Sequence, residues 1–321
     1  MNVVYSSSNE YSKHAGISMT SLFENNKDVD VLDVFIIDYG ICDDNKHKLD
    51  AIAKKYGRKI FYRSFDQEDM VYTDNCYKIQ INSYARLFLA AILPESVKKV
   101  IWLDCDTVVT DSLTDLWNTD LQGKAIAAVQ DCGSGYFWKE TGTVDHYRYI
   151  CAGVFLADLE KWRRINVTMQ FQEYMRQMNG HLEHVDQTVL NGVLHQDCVI
   201  VHPRYDVLTP TFVMPYDNLI AYFKLEKGYY SKQEIRDSIR KPAIIHFTSS
   251  NIGRPWEKGN KHPRAKEYQK YWKASAWKDE PWGIFRPTMG RKFHRTLWLY
   301  QHVPVKMIEL FQKVKGALAG R

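Results

Sequence analysis

Over the first hundred residues, short apolar runs alternate with segments of helical periodicity. "NVVYSS", "DVLDVFIID", "KIFYRSF" and "KVIWLDCD" read as strands. Between the first two, "YSKHAGISMTSLFENN" carries Ile17, Leu22 and Phe23 in a helical pattern. "DDNKHKLDAIAKKYG" is a polar-faced helix closing on Gly57, and "INSYARLFLAAILP" is a helix stopped by Pro94. Strands and helices taken in turn build an open, mostly parallel α/β sheet with helices on its faces. In such sheets ligands bind at the carboxyl ends of the strands.

The pattern continues more loosely. "KAIAAVQD" reads as a strand, and "YICAGVFLADLEKW" as a strand running into a helix. "TMQFQEYMRQM" and "VDQTVLNGVLH" read as helices, "CVIVHP" as a short strand, and "KPAIIHF" as a late strand ending near His246. From Tyr205 to Tyr230 the pattern is mixed and aromatic and yields no assignment. "DEPWGIFRPTMGR" is the best linker candidate. It divides the chain into a body, 1–280, and an extension, 281–321.

Composition excludes several classes. No apolar run approaches the roughly 20 residues that a membrane span needs. "MNVVYSSSNEY" lacks the basic and apolar regions of a secretory signal and reads as a first strand. The six cysteines are scattered with no C-x-x-C pair, which argues against a zinc knuckle and a disulfide scaffold. Reduced thiols in a cytoplasmic compartment follow. The chain has 43 Lys+Arg against 38 Asp+Glu. From Arg286 to Arg321 eight basic residues meet one acid, so that stretch carries +7 and the rest −2. A uniformly basic nucleic-acid binder would not show this distribution.

In "VIWLDCDTVV" an apolar strand ends on Asp104 and Asp106. Residues i and i+2 of an extended chain point to one side. Two such carboxylates repel unless a cation lies between them, and a hard divalent ion with oxygen ligands suits them. The plainer reading of a D-x-D is a surface turn or a helix cap. The rigid strand before it favours the metal. In "AIIHF", His246 stands at the end of another buried strand, where most histidines are satisfied core residues. The loop "TSSNIGRPW" that follows brings Arg254, a residue suited to phosphate. An imidazole added to two carboxylates favours Mn²⁺ over Mg²⁺.

With these pieces the chain resembles glycosyltransferase family 8, the retaining sugar-nucleotide transferases that include bacterial lipopolysaccharide galactosyl- and glucosyltransferases and glycogenin. The matching segments run in the family's order: "VVYSSSNEY", "INSYARL", "VIWLDCDTVVTDSLTDLW", "CAGVFLADLEKWR", "HVDQTVLNG" and "IIHFTSSNIGRPW". The resemblance implies a single Rossmann-like open mixed sheet of the GT-A type, here with a basic helical tail. It implies that Asp104, Asp106 and His246 bind Mn²⁺ or Mg²⁺ beside the donor diphosphate, with Cys105 between the two acids. Val4, Tyr5, Ser6, Ser8 and Asn9 would border the uridine, Arg86 the donor pocket, and Gly253 and Arg254 the diphosphate. Asp186 and Gln187 would lie at the transferred sugar, and Asp131, Cys151 and Ala152 on the sugar or acceptor side.

Three positions depart from the family's pattern. Many members have Asp near Ser8, Asn at Cys151 and Lys at Arg254. These changes leave the metal site whole and the donor sugar open.

The implied reaction moves a hexose, galactose or glucose, from a UDP-sugar to a hydroxyl of a cell-envelope polysaccharide or glycolipid acceptor, with retention. Gln187 offers only an amide, a weak nucleophile. Front-face attack is therefore favoured over a covalent intermediate, with Asp186 as the fallback nucleophile. The alternative is a non-catalytic module that binds a sugar nucleotide on the same fold. A nucleotidyltransferase is disfavoured, because no glycine-rich loop follows the first strand before Gly16. "GRKFHRTLWLYQHVPVKMIELFQKVKG" mixes basic and large apolar residues. It suits the anionic inner face of a cell membrane, or a helix docked on the body.

Overall fold

The computed structural model describes residues 1–65, 81–141, 148–179, 182, 184–225, 229–248, 252–287 and 289–319. Seven strands form the main sheet: β1 (Asn2–Ser8), β2 (Asp33–Tyr39), β3 (Lys59–Ser64), β4 (Lys99–Leu103), β6 (Ile126–Gln130), β7 (Ile150–Asp158) and β8 (Cys198–Ile200). Their order is β3-β2-β1-β4-β7-β6-β8. The first four strands run parallel, β7 runs antiparallel to both β4 and β6, and β8 is parallel to β6. The sheet is mixed, as the family resemblance implies.

Alternation along the strands explains why they read as unbroken apolar runs. Val3, Tyr5, Ile101 and Leu103 pack on one face, and Val4, Val100 and Trp102 on the other. Helix Ser12–Glu24 covers the first face. Its Ser18 Oγ stands 3.2 Å from Tyr5 Oη and 2.9 Å from Thr107 Oγ1, which locks β1 to the chain after β4. Trp162 and Phe171, both fully buried, cover the second face.

A smaller sheet decides where the chemistry sits. Its strands are β5 (Thr107–Val109), β9 (Val207–Leu208) and β10 (Ile244–His246), in the order β5-β10-β9. The chain leaves the main sheet at Leu103, turns through Asp104–Asp106 and enters this second sheet at Thr107. Register pairs His246 with Thr107, and Phe247 N donates to Asp106 O at 2.9 Å. Two strand ends far apart in sequence thus meet at the aspartates.

Three segments differ from the sequence reading. "INSYARLFLAAI" is not one helix: Ala85–Phe88 forms a 3₁₀ turn between short helices Ile81–Tyr84 and Leu89–Ile92. The tighter turn falls where the buried Arg86 is drawn inward. The unassigned 205–230 region contains β9 and the helices Thr209–Val213 and Tyr216–Phe223. The linker candidate is tied to the body, since its Gly283–Ile284 (β12) pairs with Glu257–Lys258 (β11).

The tail forms the helices Arg291–His302 and Val305–Ala319. Asn218 grips both: its Nδ2 donates to Tyr300 O and Val303 O, and its Oδ1 accepts from Val305 N. Leu297 and Ile308 are buried, while Trp298, Met307, Leu310 and Phe311 are each at least half exposed. The tail therefore docks on the body and still presents an apolar face outward.

Candidate functional site

The aspartates lie at the exit of β4, where the backbone is pinned by Asp104 N donating to Gly153 O at 2.8 Å. His246 Nε2 stands 3.1 Å from Asp106 Oδ1 and 4.0 Å from Asp104 Oδ2. One ligand atom from each of the three residues lies within 4.8 Å of the others. The other ring nitrogen of His246, Nδ1, is 2.9 Å from Oδ1 of the buried Asp206. A carboxylate behind a histidine fixes the tautomer and turns the free nitrogen to the metal side. Gly153 makes room, since a Cβ there would come within 2.1 Å of His246 Cε1. Two hard oxygens and an oriented imidazole fit Mn²⁺ or Mg²⁺.

Arg86 holds the other side. Its Nη2 donates to Asp104 Oδ1 at 2.9 Å, its Nε meets Ser83 O and Asp186 Oδ2, and its Nη1 donates to Ala152 O. Its guanidinium lies over the Trp102 ring, whose Nε1 also donates to Asp104 Oδ1 at 2.8 Å. One oxygen of Asp104 is thus occupied, leaving Oδ2 toward His246.

The charges differ in kind. Burial pushes the Asp104 carboxyl up, with Arg86 opposing and Asp106 adding to the rise. Burial works against Asp106 too, but His246 and Arg254 outweigh it and hold that carboxyl well below the usual range. Burial pushes Asp186 up to about 6 despite Arg86.

Gln187 is clamped at both ends: its Oε1 accepts from Ala152 N at 2.9 Å, and its Nε2 donates to Asp131 Oδ2 at 3.2 Å. Asp131 also accepts from Gly133 N, and burial raises its pKa. Cys151 is buried beside Asp206 and His246.

Arg254 donates to Asp106 Oδ2 and to Phe247 O, which ties the late loop to the aspartate turn. Gly253 precedes it at φ +86°, and a Cβ there would sit 2.8 Å from Asn260 Cα. Glycine meets both demands.

On the β1 side, Ser6 and Ser8 border a cavity of about 320 Å³ with Arg86, Asp104, Cys105 and Arg254. Cys105 Sγ donates to Ser6 O. The side chains of Val4 and Tyr5 lie in the core, fully buried. Asn9 is turned away, accepting from Cys42 N and Asn45 Nδ2 at 3.0 Å each. A second cavity, of about 750 Å³, starts from the same Arg86, Asp104, Asp106 and Arg254 and continues past Asp131 and Gln187. The aspartate turn is where the two meet.

The family model "Glycosyl transferase family 8" matches residues 2–259. The chain belongs to this family. Among relatives, General stress protein A of Bacillus subtilis (strain 168) is 27% identical over 280 residues, spanning 86% of this chain and 94% of that one. The lipopolysaccharide 1,2-glucosyltransferase of Escherichia coli (strain K12) is 25% identical over 286 residues, spanning 87% and 80%. Galactosyltransferase LgtC, solved in complex with donor and acceptor sugar analogs, superposes with a TM-score of 0.71. That match covers 92% of this chain and all of that one at 23% identity, a likeness of fold.

Within this family-8 chain, sequence reasoning passed over Asp206, Trp102 and Gly153 as working residues. Asp206 lies in "PRYDVL", where no spacing marks it. Trp102 looks like any apolar strand residue. The only signal for Gly153 is a glycine inside a strand, which marks a close approach.

Proposed function

We propose that this glycosyltransferase moves a hexose, glucose or galactose, from a UDP-sugar to a hydroxyl of a cell-envelope polysaccharide or glycolipid, with retention at the anomeric carbon. The observation that carries the reading is the Asp104–Asp106–His246 cluster, backed by Asp206, at the junction of two cavities. The smaller cavity suits the nucleotide and the larger one the sugar and acceptor. Mn²⁺ or Mg²⁺ held by those three residues would stabilise the charge of the leaving diphosphate.

The chain's own residues do the rest. Arg254 is held by Phe247 O and places a fixed positive charge at the diphosphate. Arg86 keeps Asp104 and Asp186 in place. Gln187 cannot turn without breaking two hydrogen bonds, so its amide meets the transferred sugar in one orientation. Being an amide, it favours front-face substitution. The acceptor oxygen bonds to the anomeric carbon, the bond to the diphosphate oxygen breaks, and that oxygen takes the acceptor's proton. Asp186 remains the fallback nucleophile, engaged by Arg86 Nε at 2.9 Å.

On this reading residues 1–280 are the transferase domain. The extension 281–321 holds the protein peripherally at the inner face of the cell membrane. Among the described residues no helix is long and apolar enough to cross a membrane.

The test is nucleotide release from a panel of UDP-, GDP- and CMP-sugars, with Mn²⁺ or with EDTA. Slow Mn²⁺-dependent hydrolysis of one UDP-hexose is expected, and Gln187→Ala should lower it. An undiminished rate in that variant contradicts the role of Gln187. UDP binding without turnover of any donor, even with acceptor glycans added, points instead to a non-catalytic module.

A further inference from the structure

The larger cavity changes character along its length. Every charged side chain lining it belongs to the aspartate turn, the strand ends or the segments carrying Arg86, Asp186 and Arg254. Among the described residues, the helices Thr209–Val213, Tyr216–Phe223 and Arg291–His302 form another wall and contribute no charged residue to it, only the polar Thr209, Tyr222 and Gln301. That wall consists mainly of Leu208, Val213, Phe223, Phe293 and Leu297, with Met289 48% exposed. The first five belong to one apolar cluster that reaches Cys132 and Cys151 behind the sugar-facing residues. The apolar wall is therefore continuous with the place where Gln187 and Asp131 stand.

We propose that this wall is an aglycone subsite, and that the acceptor carries an alkyl chain within about one sugar of the reacting hydroxyl. The inference rests on the reading of the Asp104–Asp106–His246 end as the donor site. A purely polyhydroxylated acceptor would find only Thr209, Tyr222 and Gln301 to bond on these helices, and its remaining hydroxyls would lie against apolar side chains at a cost in desolvation. An alkyl chain there is removed from water, and each buried methylene multiplies affinity about fourfold. The tail helix Arg291–His302 supplies Phe293 and Leu297 to this wall and Trp298 to the outer surface. One helix thus faces both the reaction cavity and the outside, and a chain entering beside it can pass from one to the other.

The experiment compares n-octyl and methyl β-galactosides and β-glucosides, each below its micellar concentration, by calorimetry on the full chain with Mn²⁺ and UDP. The octyl member of at least one pair is expected to bind ten or more times tighter, the effect of about two buried methylenes. Phe293→Asn, and separately Val213→Asn on the helix Thr209–Val213, should each cut that ratio severalfold. UDP binding measured alongside separates a folded variant from an unfolded one. Equal binding within both pairs, no binding of either, or a ratio unmoved by both substitutions overturns the subsite. Nucleotide release from the UDP-hexose panel is read separately. Its failure counts against the transfer reaction, whereas lost octyl preference with intact release counts against the subsite alone.

Discussion

Replacing Asp206 by Asn removes the buried charge behind His246, the proposed metal ligand. Asp206 is 1% exposed, and its Oδ1 lies 2.9 Å from His246 Nδ1. The contact keeps a proton on Nδ1 and turns Nε2 toward the aspartates. Asn has the same size and no charge. Outer supports of this kind are worth about 10- to 100-fold in metal affinity, or about 1.4–2.7 kcal/mol. The pH dependence gives the sharper test. Burial opposes a charge on His246, but Asp206 and Asp106 outweigh it and raise its pKa well above the ordinary imidazole value. That rise favours a proton on Nε2 in the free protein, and it must leave before the nitrogen can be a ligand. Apparent Mn²⁺ affinity should rise with pH, by up to about tenfold per unit, until that proton is gone. Without Asp206 the proton leaves at lower pH, so competition fades while the loss of orientation remains. Calorimetric Mn²⁺ titrations with UDP present should show the variant about 10- to 100-fold weaker at alkaline pH. The gap should narrow as pH falls. Equal affinities at alkaline pH, or a gap that stays constant across pH, would refute the reasoning.

Gly153→Ala places a Cβ 2.1 Å from His246 Cε1 and 3.1 Å from Asp104 Oδ2. Shifting the imidazole by about 1 Å should cost about a hundredfold in Mn²⁺-dependent nucleotide release, and a near-normal rate would contradict the packing. Arg86→Lys keeps a charge but loses the fork that reaches Asp104, Asp186 and Ala152 O together. Leaving a buried carboxylate unpaired should lower stability by about 3 kcal/mol or more in denaturant unfolding. Asp186 is raised to about 6 by burial. The folded protein then binds its proton more tightly than the unfolded chain, so this group's contribution falls as pH rises from about 4 to about 6. The loss is about 3 kcal/mol, and Asp186→Asn should flatten that part of the stability–pH curve. Deletion from Arg286 should abolish pelleting with anionic vesicles at low salt, and equal pelleting of the truncated chain would remove the membrane role.

The parts of this molecule that repeat were legible, and the parts that depend on one pairing were not. The strands and their order of appearance follow from apolar periods that hold whatever the rest of the chain does. Asp104 and Asp106 announce themselves because two acids ending an apolar strand need a reason. Their union with His246 was readable only through resemblance to a family, since nothing local says that β5 and β10 are partners. Asp206 is one step further away. It enters through β9, a strand of two residues inside a region with no readable period. The same limit applies to the tail: an amphipathic pattern says that one face is apolar, not which neighbour covers it. Asn218 decides this by holding Tyr300, Val303 and Val305. That grip sets Phe293 and Leu297 against the larger cavity and leaves Trp298 outside. The helix Arg291–His302, part of a segment that looked separable in sequence, thus lines the larger cavity. Removing it should alter acceptor selection as well as any attachment to lipid.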